Sequence, residues 1–340
     1  MNLKDIGFYT LSDARVANVA AQGVFSPLSR CELILTNACN FKCPYCRGLP
    51  TPIRKTMPIE KAKFIVKMWG SHKLKNVRFS GGEPTVYPHI VELVKYAKEQ
   101  GIERIAISSN GSAELDFYDQ LVEAGVNDFS ISLDACCASF GDKMAGDVQG
   151  AWEKVVRSIK HLSKKVYVTV GIVVTEDTIK ELPDTIRFAE SLGVSDIRII
   201  SAAQYNTLLS NATALPQDIV DRFPILKYRI NNILNGRNVR GIREEDSHMC
   251  GLVLDDMAIA GDFHFPCIIH MREAGAPIGK INFNNDPFEE MKRIREERRE
   301  WMLKTDTSCE GRCSKNCLDV CISYNKYMAL TCPEFKDPGY

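Results

Sequence analysis

The chain has 340 residues, 45% hydrophobic and 25% charged, and its 43 basic and 43 acidic side chains leave a formal net charge of zero. That composition belongs to a folded globular protein long enough for one large domain and a smaller one, and zero net charge gives no electrostatic case for nucleic acid or an anionic membrane as partner. No run approaches the roughly 18 apolar residues of a membrane span, and the opening MNLKDIGFYTLSDAR lacks a signal-peptide core, so the chain is expected in the cytoplasm. Taken in order, β-rich runs alternate with amphipathic stretches. Strands are expected at Glu32–Thr36, Val77–Ser80, Arg104–Ser109, Asp128–Leu133, Val166–Val174 and Asp196–Ser201, and helices at Ile59–Trp69, Ile90–Gln100, Ala113–Gly125, Ala151–Lys164 and Thr175–Leu192. Six βα units in series predict an α/β fold, a parallel sheet with helices outside and right-handed crossovers. Six units rather than eight suggest a partial (β/α)6, TIM-like barrel left open, with its chemistry at the carboxyl ends of the strands. Composition turns polar and small over Gln204–Leu215, and Ile219–Leu234 reads as a helix. The expected division is a lead-in (1–30), the barrel (31–205), a linker or helical bridge (206–245) and a small cysteine-rich C-terminal domain (246–340).

Thirteen cysteines need a reason. A chain of this size without an export signal is a poor candidate for a disulfide framework, and ten of them fall into three groups, which points to metal or cluster ligation. The first group, Cys39-Asn-Phe-Lys-Cys43-Pro-Tyr-Cys46, offers three thiolates within eight residues. Three thiolates can grip three irons of a cubane and leave the fourth iron open, whereas a zinc knuckle wants a fourth ligand nearby. The next motif, Phe79-Ser80-Gly81-Gly82-Glu83-Pro84, follows the second expected strand. Its paired glycines allow close backbone approach, and Glu83 offers an acceptor for an ammonium group.

The CxxxCxxC triplet, with Tyr45 before its last cysteine, and the Gly81-Gly82-Glu83 motif together resemble the signature of the radical S-adenosylmethionine (SAM) superfamily. The resemblance implies that Cys39, Cys43 and Cys46 hold a [4Fe–4S] cluster whose open iron chelates SAM. It also implies that SAM is cleaved reductively to a 5′-deoxyadenosyl radical, with the electron delivered by a flavodoxin- or ferredoxin-type donor. Gly81, Gly82 and Glu83 would hold the SAM amino group. Ser108-Ser109-Asn110-Gly111 resembles the family's segment near the SAM sugar, Ser132 and Asp134 sit where relatives contact ribose and methionine, and Val173 lies where backbone meets adenine.

The C-terminal array, Cys250, Cys267, Cys309, Cys313, Cys317, Cys321 and Cys332, resembles the SPASM domain, an extension that holds two auxiliary [4Fe–4S] clusters. By position in that pattern, Cys309, Cys313, Cys317 and Cys332 would ligate the outer cluster, and Cys250, Cys267 and Cys321 the inner one. The uniform spacing of three residues between Cys309, Cys313, Cys317 and Cys321 departs from the family pattern. One cluster, or a cluster plus zinc, therefore stays open as an alternative, as does His248 as a further ligand. Of the other histidines, only His264 and His270 lie near these cysteines in sequence. Asp286 and Pro287 read as the start of a helix, and the charged run Lys292–Glu300 as its solvated face.

Cys136 and Cys137, just past Asp134, are candidate hydrogen donors to a substrate radical, with a role as small apolar fillers as the alternative. Cys31 reads as structural. The expected reaction is oxidation or cross-linking of a peptide or protein side chain, which would call for a separate substrate-recognition protein. A small-molecule reaction on a sugar, amino acid or nucleotide is the alternative. A non-catalytic iron–sulfur redox sensor is a third reading, against which an intact SAM signature speaks.

Overall fold

The structure, a computed structural model, describes residues 27–201, 215, 217–243, 245–246, 248–305, 313 and 317–331. The six expected strands are present as β1 (Arg30–Thr36), β2 (Asn76–Gly81), β3 (Arg104–Ser109), β4 (Asp128–Ser132), β5 (Tyr167–Val174) and β6 (Asp196–Ser201). Each pairs in parallel with the next. Helices α1 (Ile59–Ser71), α2 (Ile90–Glu99), α3 (Leu115–Ala124), α4 (Ala138–Met144), α5 (Ala151–Leu162) and α6 (Leu182–Ser191) lie between them. The sheet is open, and it does not stop at β1. It continues through β7 (Asp256–Ala260), β8 (Phe263–Phe265) and β9 (Gly279–Lys280), in the order β6-β5-β4-β3-β2-β1-β7-β8-β9. The β1–β7 pair is parallel and the last two pairs are antiparallel.

Two-residue periodicity assigns the faces. Leu33, Leu35, Phe79, Ile107, Phe129, Ile131, Val170 and Ile197 enter one buried core with the helices. The intervening positions Glu32, Arg78, Ser108 and Arg198 face a cavity on the opposite side of the sheet. The charged and polar positions of these strands therefore face the lumen, while the outer face is apolar.

Several elements differ from expectation. The helix expected from Thr175 begins only at Leu182, because Thr178 Oγ1 accepts the Thr175 N–H at 2.7 Å and holds a turn ahead of it. The helix expected over Ile219–Leu234 is two helices, α7 (Gln217–Arg222) and α8 (Pro224–Leu234), since Pro224 has no N–H to continue the first and starts the second. Strands β7 to β9 and helix α4 were not signalled by clear periodicity. The polar stretch beyond β6 lies largely outside the described residues.

Beyond β8 come α9 (Ile268–Arg272), α10 (Pro287–Lys304) and α11 (Val320–Thr331). Asp286 caps α10 as expected, accepting from the N–H groups of Phe288 and Glu289 at 2.9 and 3.3 Å. The charged run on α10 is not a solvated face throughout: Arg295 and Arg298 are fully buried. Their guanidinium groups cap carbonyls of the turn before β7 and of the ends of β7 and β8. Arg295 donates to Leu254 O at 2.7 Å, and Arg298 donates to the carbonyls of Val253, Asp256 and Phe265 at 2.8, 2.6 and 3.0 Å. Arg298 thus fastens α10 to β7 and β8. Among the described residues no helix is long and apolar enough to cross a membrane.

Arg298→Met keeps most of the side-chain volume but strands these buried carbonyls, and is expected to lower stability by about 3 kcal/mol in denaturant unfolding. A variant as stable as the wild type would show that the carbonyls find other partners.

Candidate active site

The loop carrying Cys39, Cys43 and Cys46 follows β1 and has little regular structure of its own, apart from a turn in which the Cys46 N–H donates to Cys43 O at 3.0 Å. It is fixed from outside. Gly82 N–H donates to Thr36 O at 2.8 Å and Glu83 N–H to Ala38 O at 2.9 Å, so the glycine motif lies directly on the backbone leading to Cys39. A Cβ on Gly81 would stand 2.3 Å from Thr36 O, and one on Gly82 would stand 2.3 Å from Ala38 O. The two glycines therefore serve close approach to the cysteine loop itself. Asn40 Nδ2 donates to Ser112 Oγ at 2.8 Å, and Lys42 N–H donates to Ala145 O at 3.0 Å. Tyr45 donates its hydroxyl proton to Asp134. Arg272, from α9, donates to Gly48 O at 3.0 Å and Gly81 O at 2.8 Å, binding the loop and the glycine motif together.

Glu83 differs from the expected free acceptor. Its side chain is fully buried. One carboxylate oxygen accepts from Thr85 N–H, Thr85 Oγ1 and Ser109 Oγ at 2.8 to 3.0 Å, and the other accepts from Asn110 N–H at 2.6 Å. Burial raises its pKa while these donors oppose the rise. Glu83 joins the ends of β2 and β3 and sets the position of Asn110, whose side chain donates to Asn40 Oδ1 at 2.9 Å.

A cavity of about 50 Å³ brings together Cys43, Tyr45, Asn110, Ser132 and Asp134. Burial pushes Asp134 up to about 6, against the Tyr45 hydroxyl and the Val173 N–H at 2.8 Å that both favour its charged form. Tyr45 is also in the wall of a larger cavity of about 420 Å³, shared with Cys46 and Val173. The three loop thiols are exposed or half-buried, and burial first, with neighbouring thiolate charge after it, raises the pKa of Cys39 and Cys43. A set of three thiols, presented by a loop held at a strand end, fits a cluster with one iron left to another ligand.

Cys136 and Cys137 do not line either cavity. After Asp134 the chain turns outward. Trp152 Nε1 donates to Ala135 O at 2.9 Å, Cys136 stands beside Thr185 of α6, and Cys137 begins α4. Cys31 is buried, as its structural reading required.

Of the C-terminal cysteines, Cys309 and Cys332 lie outside the described residues. Cys267, Cys313 and Cys317 line the larger cavity. Cys317 stands with Cys321, their sulfurs 3.5 Å apart, rather than in a separate group, because its four-residue spacing puts it one turn before Cys321. His248, fully buried, has a ring nitrogen within 4.8 Å of both sulfurs, and Cys250 contacts Cys321. Burial opposes protonation of His248, yet the Cys317 sulfur raises its pKa to about 9. Two thiolates on one tetrahedral ion stand about 3.8 Å apart, so the present arrangement matches a single ion more closely than ligands spread around a cubane. His264 is turned away to Glu297 at 3.0 Å, and burial lowers it to about 4.

Sequence reading missed the lumen. Arg78, Arg198, Arg229, Arg240 and Arg272 line the larger cavity. The signal was the alternation within strands, as in Arg78-Phe79-Ser80 and Ile197-Arg198-Ile199.

Residues 33–189 match the model of the Radical SAM superfamily. The chain carries a radical SAM domain. With that domain go a [4Fe–4S] cluster and SAM as cofactors. The chain is 38% identical to GTP 3′,8-cyclase of Chlorobaculum tepidum over 30% of its own length and 32% of that protein. It is 29% identical to PqqA peptide cyclase of Rhodopseudomonas palustris over 54% of its length and 49% of that enzyme. It thus spans from about a third to about half of these curated relatives. Among solved structures, SuiB of Streptococcus suis bound to its precursor peptide SuiA superposes with a TM-score of 0.62 at 15% identity, covering 90% of this chain and 75% of that one. That likeness establishes the fold. The C-terminal cysteines of the chain are compatible with a SPASM-like domain.

Gly82→Ala would drive a methyl group into Ala38 O. It is expected to weaken SAM binding at least tenfold in equilibrium dialysis while far-UV circular dichroism is unchanged; unaltered binding would separate the motif from SAM. Asp134 offers a pH test. Its folded pKa of about 6 lies above the roughly 3.9 of an unfolded aspartate, so its stabilising contribution is complete only below that lower value and is lost as pH rises through 6. In urea unfolding of the chelator-treated chain, wild type should gain on Asp134→Asn by at most about 3 kcal/mol between pH 7 and pH 4. A pH-independent difference would contradict the shift.

Proposed function

We propose that this chain is a radical SAM oxidoreductase that abstracts hydrogen from a substrate seated in the 420 Å³ cavity, with the C-terminal cysteines holding auxiliary metal centres. One observation carries the reading. The same cavity is walled by Tyr45, Cys46 and Val173 from the radical SAM domain and by Cys267, Cys313 and Cys317 from the C-terminal region. A substrate there reaches both.

Cys39, Cys43 and Cys46 would hold the cluster, and Asn110, Ser132, Asp134 and the backbone at Gly81, Gly82 and Val173 would position SAM. When bound, these cofactors supply a 5′-deoxyadenosyl radical. Tyr45 keeps Asp134 oriented, and Asp134 in turn fixes the Val173 N–H at the strand end. Arg272 closes the loop over the cavity. Cys250, Cys317 and Cys321, with His248, form the better-defined auxiliary site, and Cys267 and Cys313 stand in the cavity wall. The C-terminal region from 246 onward acts as the auxiliary-centre domain although its strands extend the barrel's sheet. A flavodoxin- or ferredoxin-type protein supplies the electron.

The cavity volume suits a small molecule or a single side chain. A small-molecule reaction is favoured over modification of an extended peptide by the charged wall described above, and the likeness to a GTP cyclase is consistent with that choice. The likeness to PqqA peptide cyclase keeps a peptide side chain as the second reading.

The test is anaerobic reconstitution, with iron, sulfide and zinc measured beside 5′-deoxyadenosine formed under dithionite. Wild type is expected to cleave SAM, a Cys39/Cys43/Cys46→Ala variant to lose about four irons and all cleavage, and Cys267→Ala to retain cleavage. About twelve irons per chain indicates two auxiliary clusters, about eight indicates one, and about four with zinc indicates a single-ion site. A well-loaded chain that does not bind SAM would refute the assignment and leave the sensor reading.

A further inference from the structure

The lumen is rich in positive charge. Seven arginines line the larger cavity, against two carboxylates, Glu32 and Asp256, and the four cysteines Cys46, Cys267, Cys313 and Cys317. Much of this charge is matched. Arg30 pairs with Glu32 and lies 3.9 Å from Asp256, Arg78 is 2.9 Å from Asp128, and Arg47 pairs with Glu273. Arg272 donates to the two carbonyls already described.

Arg198 is different. It projects from β6 into the lumen, donates to Ser130 Oγ at 2.8 Å, and has a buried Nε with no acceptor. Among the described residues no carboxylate pairs with it, and its charged neighbours are chiefly of its own sign. Burial first, then Arg78, Arg240 and Arg30, bring its pKa down to about 10 against the weaker pull of Glu32. Gathering guanidinium groups out of water without counter-charge is costly. A planar fork with a free N–H is the group that recognises a carboxylate or a phosphate.

We propose that the lumen binds an anionic group of the substrate, a carboxylate or a phosphate, at the guanidinium of Arg198 beside Ser130. The inference rests on the reading of this cavity as the substrate chamber and adds the charge class of what enters it. The anion completes the charge balance of the arginine wall, and its fixed position orients the remainder of the substrate toward Tyr45 and Cys46. An extended neutral peptide offers no such group.

The experiment is isothermal titration of the full-length, anaerobically reconstituted protein with inorganic pyrophosphate and, separately, with succinate. At least one anion should bind, more weakly as ionic strength rises. Arg198→Gln should weaken it at least tenfold, Arg198→Lys should retain part of the affinity, and SAM binding should be unchanged in both. Pyrophosphate binding alone assigns a phosphorylated substrate, and succinate binding alone assigns a carboxylate-bearing one. If Arg198→Gln does not fold, phenylglyoxal labelling of the wild type, read by peptide mass spectrometry, takes its place: protection of Arg198 by the anion supports the proposal, and equal labelling overturns it. Failure of both anions to bind, or equal binding by wild type and Arg198→Gln, also overturns it. Because SAM cleavage is measured separately, cleavage without anion binding refutes this inference alone, and anion binding without cleavage refutes the enzymatic reading alone.

Discussion

The structure depends on hydrogen bonds that immobilise a segment unable to order itself. The loop from Asn37 to Leu49 has no helix or strand to hold three thiols in place. Its order is borrowed from the ends of β2, β3 and β4, from the chain after α4, and from α9. Each tie is short and directional, and most use backbone atoms, so the loop's position is coupled to the sheet rather than to side-chain packing. Fixing one residue's backbone costs about 1 to 2 kcal/mol of conformational entropy, and here that cost is offset within the fold before any cofactor binds. Pre-organisation of this kind leaves more of the binding free energy to hold the cofactor.

The second constraint is the contrast between the two faces of one sheet. Strands whose outward residues are Leu, Ile, Val and Phe bind the helices through an apolar core. The same strands turn Arg, Glu, Ser and Asp inward. A closed eight-stranded barrel would fill its centre with side chains; six parallel strands and an added parallel seventh leave room, and the room is lined with charge. Fold and chemistry are thereby set by alternate residues of the same segments.

Much of the barrel was legible because parallel strands write strong local signals: β-branched runs, turn residues at their ends and amphipathic helices between. Cys39, Cys43 and Cys46 were equally plain, since spacing in sequence already limits spacing in space. What remained hidden depended on tertiary context. Arg295 and Arg298 look like solvent-facing residues of a charged helix until the carbonyls of 253–256 and 265 are brought beneath them. The hydrogen bonds that hold Glu83 come from Ser109 and Asn110 on another strand, which its own motif does not signal. The β7 run, Asp256-Met-Ala-Ile-Ala, is too short to announce itself and becomes a strand because β1 offers it an edge. That Cys136 and Cys137 line neither cavity was not legible, because proximity to Asp134 in sequence says nothing of which way the chain turns next.

The pairing of β1 with β7 sets an order of events in folding. β1 is an interior strand, flanked by β2 on one side and by β7 on the other, with Arg30 opposite Asp256 and Ile34 opposite Ala260. During synthesis the first of these partners emerges soon and the second only after the whole barrel has been made. For that interval the strand that leads into the cysteine loop has one side of its backbone unsatisfied, and non-local parallel pairing is slow to form. The nascent chain is therefore most vulnerable to misassociation at the strand that supports its cysteine loop, and cofactor loading in the cell has reason to wait until translation has passed Ala260.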